Sequence, residues 1–406
     1  MQDRFKEYAS LIVRVGGNVQ PGQTAVVSGS VDNAWFARLI AEECYNAGAR
    51  EVVLRWRDDE TTRMKYFRAA DGVFDAVPQW MVEFFNGYAK DRAAMIAIID
   101  DDPEMLSGVD PDRIQRYGRA SGEALKDYYN ASMNNEFQWC GVSIPSPVWA
   151  KKVFPGVSEE EAVQKLWDAI LKAVHVGNGN AVEVWRDKVA TMAQRAKMLT
   201  EYDFAALRFQ NALGTDLTVG LPEGHKWVSC GEKAKTGANF VANMPTEEIF
   251  TLPKRDSANG ILCSSMPLSL NGNMVEDIVF TVKDGKITDA KASKGLDVLE
   301  KELDLDEGAR FLGEIALVPY DSPIREMGVL FYNTLFDENA SCHFAFGKAY
   351  PAFLDGDLTE EEKKARGAND SFTHVDFMVG TKDLSITGVT KDGKEIPVFV
   401  NGNFAF

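Results

Sequence analysis

The first half of the sequence alternates between short apolar runs and longer segments with helical periodicity. The runs "TAVVSGS", "EVVLRWRDD" and "AAMIAIIDDD" have the length and composition of buried strands. Helix-length segments separate them, and the first of these, "NAWFARLIAEECYNAGA", is predicted to end at Gly48. Strands joined by helices need crossover connections, so this half is predicted to be an α/β domain with a mainly parallel sheet. No G-x-G-x-x-G follows the first strand, so the sheet is not predicted to bind a dinucleotide.

After Glu201 the pattern changes to period-two alternation interrupted by glycine turns. The segments "DIVFTVKDGKITDAKAS" and "ITGVTKDGKEIPVFVNGNF" each place a "KDGK" turn between two alternating runs, which is typical of antiparallel hairpins. We therefore predict a boundary near residue 200. The α/β domain is expected over residues 1–200, and a β-rich α+β domain over residues 201–406.

The stretch "THVDFMVG" shows the same alternation with an unusual polar face. One face of the predicted strand carries His374 and Asp376, and the other carries Val375, Phe377 and Val379. A lone His-x-Asp on a strand is more often a hydrogen-bonded pair or a solvated face than a site. Its meaning therefore depends on which other polar residues the chain offers.

Charge and composition narrow the classes of partner. The chain has 44 Lys and Arg against 61 Asp and Glu, a formal net charge of -17. Such a surface repels phosphate, so neither nucleic acid nor an anionic membrane is expected as a partner. No apolar run approaches the roughly 18 residues of a membrane helix, and the N-terminal segment resembles an amphipathic helix more than a signal peptide. The five widely spaced cysteines form no C-x-x-C, so we predict buried reduced thiols in a cytoplasmic protein.

Candidate metal ligands are concentrated in the second half of the chain. Of the four histidines, His175 and His225 fit a helix end and a turn, whereas the other two lie near acidic residues. Carboxylates in or beside apolar segments are Glu247, Glu248, Glu314, Asp337 and Glu338. Burying Glu314 within "LGEIALV" is costly unless a cation compensates its charge.

That cation could be an arginine or a metal ion. Imidazole and carboxylate are ligands that suit zinc, cobalt or manganese, and a set without cysteine argues against a purely structural zinc site. Several carboxylates with two histidines exceed the needs of one ion. They match two ions roughly 3.5–4 Å apart that share a carboxylate, an arrangement used for hydrolysis. The residues alone leave both explanations open.

Four blocks, "NMPTEEIFTLP", "GEIALVP", "LFDENASCHFAFGKAY" and "THVDFMVG", resemble the aminopeptidase T family of dinuclear metallopeptidases, also called thermophilic or leucyl aminopeptidase II. The resemblance extends from "YASLIVRVGGNVQPGQTAVV" to the last strand. By this resemblance the metal ligands are Glu248, Glu314, His343, Tyr350, His374 and Asp376. It also implies that Glu314 is shared by two ions and that Tyr350 is a phenolic ligand or lies close to one. Glu247, Glu338 and Tyr350 are the candidate catalytic groups, with Glu247 or Glu338 serving as a base, an orienting partner or an extra ligand.

The resemblance implies a cytoplasmic, homodimeric exopeptidase that binds two divalent ions, either zinc, cobalt, manganese or magnesium. Its substrates would be short peptides with a free N-terminus, hydrolysed by an activated bridging water. A metal-dependent amidase acting on non-peptide amides could use the same ligands, and a non-catalytic metal- or peptide-binding protein is a weaker alternative. The aromatic segments "QWMVEFFNGYAK" and "NNEFQWCGVSIPSPVW" would form a subunit interface or substrate vestibule, or else fill the core.

Overall fold

The computed structural model of the protein describes residues 1–100, 105–177, 179–270, 273–350, 353–356 and 358–406. These residues form two compact units, Met1–Lys188 with Gly231–Pro245, and Val189–Cys230 with Thr246–Phe406. The chain therefore enters the second unit, returns once to the first, and then completes the second. The predicted domain boundary near residue 200 stays a prediction.

The elements follow one another without long irregular segments. From the start of the chain to Tyr202 they are α1 (Gln2–Leu11), β1 (Thr24–Ser30), α2 (Ala34–Asn46), β2 (Glu51–Arg57), α3 (Asp59–Arg68), α4 (Gln79–Lys90), β3 (Ala94–Ile99), α5 (Pro111–Ala124), α6 (Lys126–Met133), β4 (Trp139–Ser143), α7 (Pro147–Val153), α8 (Glu159–Ala173) and α9 (Ala181–Tyr202). The remaining elements are β5 (Ala206–Gln210), β6 (Asp216–Gly220), β7 (Val228–Ser229), β8 (Gly231–Lys233), β9 (Asn239–Val241), β10 (Asn243–Met244), β11 (Ile249–Thr251), β12 (Asn259–Cys263), β13 (Leu268–Leu270), β14 (Asn273–Val275), β15 (Val279–Lys283), β16 (Lys286–Lys291), α10 (Leu296–Leu303), β17 (Leu312–Leu317), α11 (Pro323–Glu326), α12 (Thr334–Asp337), β18 (His343–Gly347), α13 (Glu360–Ala365), β19 (His374–Met378), β20 (Ser385–Val389), β21 (Glu395–Val400) and β22 (Asn403–Phe404).

The first unit is built on a parallel sheet. Among the described residues its strand order is β10-β4-β3-β1-β2, and every neighbouring pair is parallel. The central strand β1 is almost wholly buried, as expected for a strand covered on both faces. Local signals set the helix ends: Ser158 Oγ accepts a hydrogen bond from the Glu161 backbone N–H at the start of α8, and α2 ends before Gly48, whose φ is +91°. The predicted α/β architecture is confirmed.

The second unit is built from antiparallel sheets. One sheet has the order β16-β15-β12-β6-β5-β20-β21-β22 and another has the order β19-β18-β17-β11-β7. The first "KDGK" turn behaves as predicted, since Lys283 pairs with Lys286 around a two-residue loop in which Asp284 and Gly285 both have positive φ. The β-rich character predicted for the later part of the chain is confirmed.

Aromatic side chains fill the space between these two sheets. Phe280 of β15 lies 5.1 Å from Phe377 of β19 and 6.1 Å from Phe346 of β18, measured between ring centroids. Phe209 of β5 contacts Phe344 of β18 at 4.9 Å. The apolar face of the "THVDFMVG" strand therefore packs into the core of the unit, and its polar face points the opposite way.

Cysteines and helices agree with the chemistry expected from the sequence. All five cysteines are buried free thiols. No helix in the described residues is both long enough and apolar enough to cross a bilayer.

Candidate metal centre

Three adjacent strands, β17, β18 and β19, form the floor of the candidate site. Across them Glu314 is paired with Ala345, and Ala345 is paired with Asp376, so these three residues lie in one row on the same face. His343 is two residues before Ala345 on β18 and therefore points to that face as well. The face opposite the aromatic core thus carries a row of carboxylate and imidazole groups.

Small residues at the centre of this floor leave room above it. Ala345 is fully buried and contributes only a methyl group between Glu314 and Asp376. Gly347 is paired with His374 and has a φ of +101°; a Cβ there would lie 2.2 Å from the Thr373 carbonyl oxygen. The ligand side chains can therefore lean inward over the middle strand.

A β-bulge turns Glu314 towards the ligand face. Leu312 is paired with Phe346, whereas Glu314 is paired with Ala345, so Gly313 is an extra residue in β17. Without it, Glu314 would share the face of Leu312 and Phe346, which is the aromatic core. Glycine is required at the bulge because an added Cβ would lie 2.4 Å from the Lys348 carbonyl oxygen.

The side chains converge in space as the strand register predicts. His343 Nε2 lies 3.2 Å from Glu248 Oε2 and 3.8 Å from Glu314 Oε1. His374 Nε2 lies 3.7 Å from Glu314 Oε2 and 3.3 Å from Asp376 Oδ1. Glu248 immediately precedes β11, which pairs with β17 and so reaches the same place.

The donors form two groups that share one carboxylate. Glu248, Glu314 and His343 offer ligand atoms within 4.8 Å of one another, and so do Glu314, His374 and Asp376. Each group contains oxygen and imidazole nitrogen donors, the set that zinc, cobalt and manganese accept. Five of the sequence-predicted ligands are therefore brought together, with Glu314 in the shared position.

Backbone carbonyls fix the tautomer of both histidines. His343 Nδ1 lies 3.0 Å from the Ser341 carbonyl oxygen, and His374 Nδ1 lies 2.7 Å from the Lys348 carbonyl oxygen. A carbonyl only accepts, so in each ring Nδ1 must carry the proton. The neutral imidazole then directs an Nε2 lone pair at the carboxylates, as metal-ligating histidines do.

The charge balance fits a bound cation better than an arginine pair. In the described part of the chain, the ion-pair partners of Glu314 are His343 and His374. Asp376 Oδ1 is buried, and its 3.3 Å contact with His374 lacks hydrogen-bond geometry. Buried carboxylate oxygens of this kind need a cation to compensate them, so the residues present fit divalent metal.

The pKa values of the metal-free groups show the same crowding of negative charge. Burial, together with the charges of Asp376 and Glu248, raises the pKa of Glu314 to about 8. Burial by itself would lower the pKa of His343, but the pairing with Glu248 and the other carboxylates raises it to about 10. The pKa of His374 is raised to about 9 because Asp376 and Glu314 outweigh the effect of burial. The site holds protons where a metal ion would replace them.

The remaining predicted residues fall in different places. Tyr350 stacks beside His374 with ring centroids 4.7 Å apart, and its pKa is raised by burial and by the charge of Glu314. Glu338 borders the same cavity as Asp376. Glu247 belongs to neither donor group in the described residues, and its backbone N–H donates to Asn339 Oδ1 at 2.6 Å.

Several contributors to the site were not predicted from the sequence. The Ser341 and Lys348 carbonyls orient the histidines, and no side chain announces them. The small residues did leave a signal, because in "HFAFG" phenylalanines alternate with histidine, alanine and glycine. That alternation could have identified Ala345 and Gly347 as positions facing the ligands.

Fold and donor groups together define a protein that holds divalent metal on the floor of a β-rich unit. The chain belongs to the thermophilic metalloprotease (M29) family, whose sequence model matches residues 1–404. The family predicted from the sequence is thereby confirmed, and with it a metal-dependent peptidase.

Characterised relatives are similar over their whole length. Aminopeptidase AmpS of Bacillus subtilis (strain 168) is 45% identical over 405 residues, which cover 99% of this chain and 98% of the relative. Aminopeptidase 2 of Geobacillus stearothermophilus is 40% identical over 407 residues, covering 100% and 98%. The solved structure described as wild-type AmpT from Thermus thermophilus superimposes with a TM-score of 0.93, at 36% identity and full coverage of both chains.

Proposed function

We propose that this protein is an aminopeptidase that hydrolyses the N-terminal peptide bond of short peptides through two divalent ions. The observation that carries the proposal is the pair of donor groups that share Glu314. Relatives named as aminopeptidases, similar over the full chain, support the same activity. Two ions with a shared carboxylate are a common arrangement for hydrolysis of amides.

Each ion is assigned a separate set of ligands. Glu248, Glu314 and His343 would hold one, and Glu314, His374 and Asp376 would hold the other, with the Tyr350 phenol beside the second set. Zinc, cobalt and manganese suit these ligands, and magnesium would rely on the carboxylates. When bound, the ions would supply an activated water and polarise the scissile carbonyl.

Glu338 is the proposed proton carrier. Burial raises the pKa of its carboxyl well above the ordinary value, and the charges of Glu248 and Asp376 raise it further. A carboxyl group with a raised pKa can accept a proton from the attacking water and return it to the leaving amine. Glu247 is adjacent to Glu248 in an extended segment, so its side chain is directed away from the ligands and is assigned a structural role.

Negative charge around the centre favours a free N-terminus. Four carboxylates, from Glu248, Glu314, Glu338 and Asp376, surround two imidazoles. An α-ammonium group is attracted to such a site, whereas an acetylated terminus is not. This accounts for exopeptidase selectivity and distinguishes the protein from an amidase that ignores the terminus.

A cytoplasmic homodimer is proposed for the assembly. Within the segment "QWMVEFFNGYAK", Trp80 is 65% exposed, which suits an interface. Phe137 and Trp149 of the second aromatic segment are instead buried, so that segment serves the core. Five buried reduced thiols fit a reducing compartment.

Activity and metal content can be measured on the same sample. We expect leucyl dipeptides with a free amine to be cleaved, their N-acetylated forms to resist, and chelation to abolish turnover until zinc, cobalt or manganese is restored. Metal analysis should approach two ions per chain, and sedimentation should give a dimeric mass. Equal cleavage of free and acetylated peptides would overturn the aminopeptidase assignment.

A matched pair of variants tests the role of Glu338. Glu338→Gln should retain metal and lose at least about a hundredfold in kcat, the range expected for a lost proton carrier. Glu247→Gln changes the same functional group one position from a ligand and should lose far less. Equal losses in both variants would contradict the assignment of the base.

A further inference from the structure

A small cavity lies beside the metal centre in the second unit. It has a volume of about 80 Å³ and is lined in part by Leu268, Ser269, Tyr332, Glu338, Asp376 and Met378. Met378 follows the proposed ligand Asp376 on the same face of β19, so the cavity begins where the ligand row ends. We refer to it as the acidic cavity.

The wall formed by Tyr332 is held in a strained backbone conformation. Tyr332 has a φ of +55°, which is uncommon for a bulky residue and persists only when the surroundings impose it. Such strain is often found where a side chain must be placed for function. Tyr332 lines the cavity directly.

Asp337 imposes this conformation. Its buried carboxylate accepts hydrogen bonds from the backbone N–H groups of Phe331 at 2.7 Å and Asn333 at 3.0 Å, which flank Tyr332 on both sides. Asp337 also ends the short helix α12 that leads to Glu338. The loop is therefore built in advance of any ligand, in the sense of a preorganised wall.

The charges of the cavity select against acidic ligands. Glu338 and Asp376 border it, and its described lining contains no lysine, arginine or histidine. A carboxylate entering the cavity would meet two like charges in a partly desolvated space, which is a repulsive element. Leu268 and Met378 offer apolar contact to an uncharged side chain.

The dimensions select for short side chains. A cavity of about 150 Å³ holds a benzene molecule, so one of about half that volume holds a small aliphatic group without rearrangement. A bulky aromatic group would have to displace Tyr332 from its strained position. Removing the tyrosyl ring would enlarge the cavity without touching a proposed ligand.

We propose, resting on the aminopeptidase function above, that the acidic cavity receives the side chain of the substrate's N-terminal residue. Tyr332 is the specificity-determining residue that limits the size of this side chain, and Asp337 is the positioning residue that holds Tyr332. The preferred substrates carry small uncharged N-terminal residues, and N-terminal glutamate or aspartate is rejected.

Kinetics on a series of dipeptides test the assignment. With wild-type protein, kcat/KM should fall by at least about tenfold from alanyl to tryptophanyl dipeptides and further for glutamyl ones. Tyr332→Ala should raise the tryptophanyl-to-alanyl ratio by about tenfold, whereas Tyr332→Phe should leave it nearly unchanged. Asp337→Asn should raise KM for alanyl substrates more than it lowers kcat. Tyr129→Ala, the same change at an exposed tyrosine of the first unit, is the matched control.

A binding readout separates this proposal from the function on which it rests. In thermal-shift titrations of metal-loaded protein, free alanine should stabilise wild type more than tryptophan does, and Tyr332→Ala should reverse that order. Wild type that cleaves free-amine dipeptides, with selectivity and binding order unaltered in Tyr332→Ala, would overturn the cavity assignment alone. No turnover of any free-amine dipeptide would overturn the aminopeptidase function, and the amino-acid binding order would still decide the cavity. If Tyr332→Ala fails to fold, Tyr332→Leu serves the same comparison.

Discussion

Replacing Glu314 by glutamine should have opposite effects on the metal-free and the metal-loaded protein. The side chain of Glu314 is only 7% exposed and lies between both donor groups. Even with both imidazoles protonated, the four carboxylates around it leave negative charge uncompensated. A neutral amide of nearly the same shape removes one buried charge when no ion is present, and removes the shared ligand when ions are bound.

The magnitude follows from the pKa of Glu314 in the metal-free protein. It rises from 4.5 to about 8, so the folded state binds more protons than the unfolded chain across that interval. Stability of metal-free wild type therefore falls as pH rises from about 4.5 to about 8. At about 1.36 kcal/mol per pKa unit, the cost reaches on the order of 5 kcal/mol above pH 8, which is an upper limit because neighbouring groups share the protons. We expect metal-free Glu314→Gln to be more stable than wild type by about 1–3 kcal/mol at pH 8.5, and by less at pH 6.

Urea denaturation at both pH values, with chelator and with added zinc, measures these differences. Glu395→Gln makes the same change at an exposed position of β21 and should alter none of them. With zinc, Glu314→Gln should lose stability and bind less than one ion per chain, because the shared ligand serves both positions. A variant that is less stable than wild type with and without metal would refute the reasoning, and so would retention of two ions.

Other substitutions test other parts of the site. His374→Ala or Asp376→Ala should abolish peptidase activity and lower metal content while far-UV circular dichroism stays near native; full activity in both would contradict their assignment as ligands. Asn339→Ala should cost about 1–3 kcal/mol in urea denaturation, because the buried Asn339 amide accepts from the Glu247 N–H and donates to the Leu335 carbonyl; an unchanged midpoint would show that these groups find other partners. Ala345→Val should fill the space above the floor and reduce metal content at a stability cost of about 1–3 kcal/mol; normal metal content would mean that the ions do not lie over the middle strand.

Sequence reasoning succeeded where a local pattern determines structure. Alternation placed His374 and Asp376 on one face with Phe377 on the other, because the side-chain period of a strand needs no tertiary information. The "KDGK" turn fixed its hairpin for a similar reason, since positive φ at Asp284 and Gly285 is a property of the turn itself. The ligand set came from the family resemblance, which carries information that spacing in one chain does not.

Tertiary features were harder to predict. The return of Gly231–Pro245 to the first unit places β10 beside β4 through a pairing of only two residues, too short to leave a pattern. The bulge at Gly313 reverses the face of Glu314, and a period-two reading of "FLGEIALV" without it assigns that side chain to the core. Backbone acceptors such as the Lys348 carbonyl have no residue type, so only the folded chain identifies them.

The position of β19 at the end of its sheet has a consequence for how the protein ages in solution. In the described residues β19 pairs only with β18, so one side of its backbone is not occupied by another strand of that sheet. Edge strands fray first and recruit other chains when they do. Ions held between His374, Asp376 and the inner strands would clamp this edge, so amide hydrogens of His374–Met378 should exchange with deuterium faster after chelation. Stripped enzyme should then aggregate during storage sooner than loaded enzyme, even in samples whose global melting temperature has hardly changed.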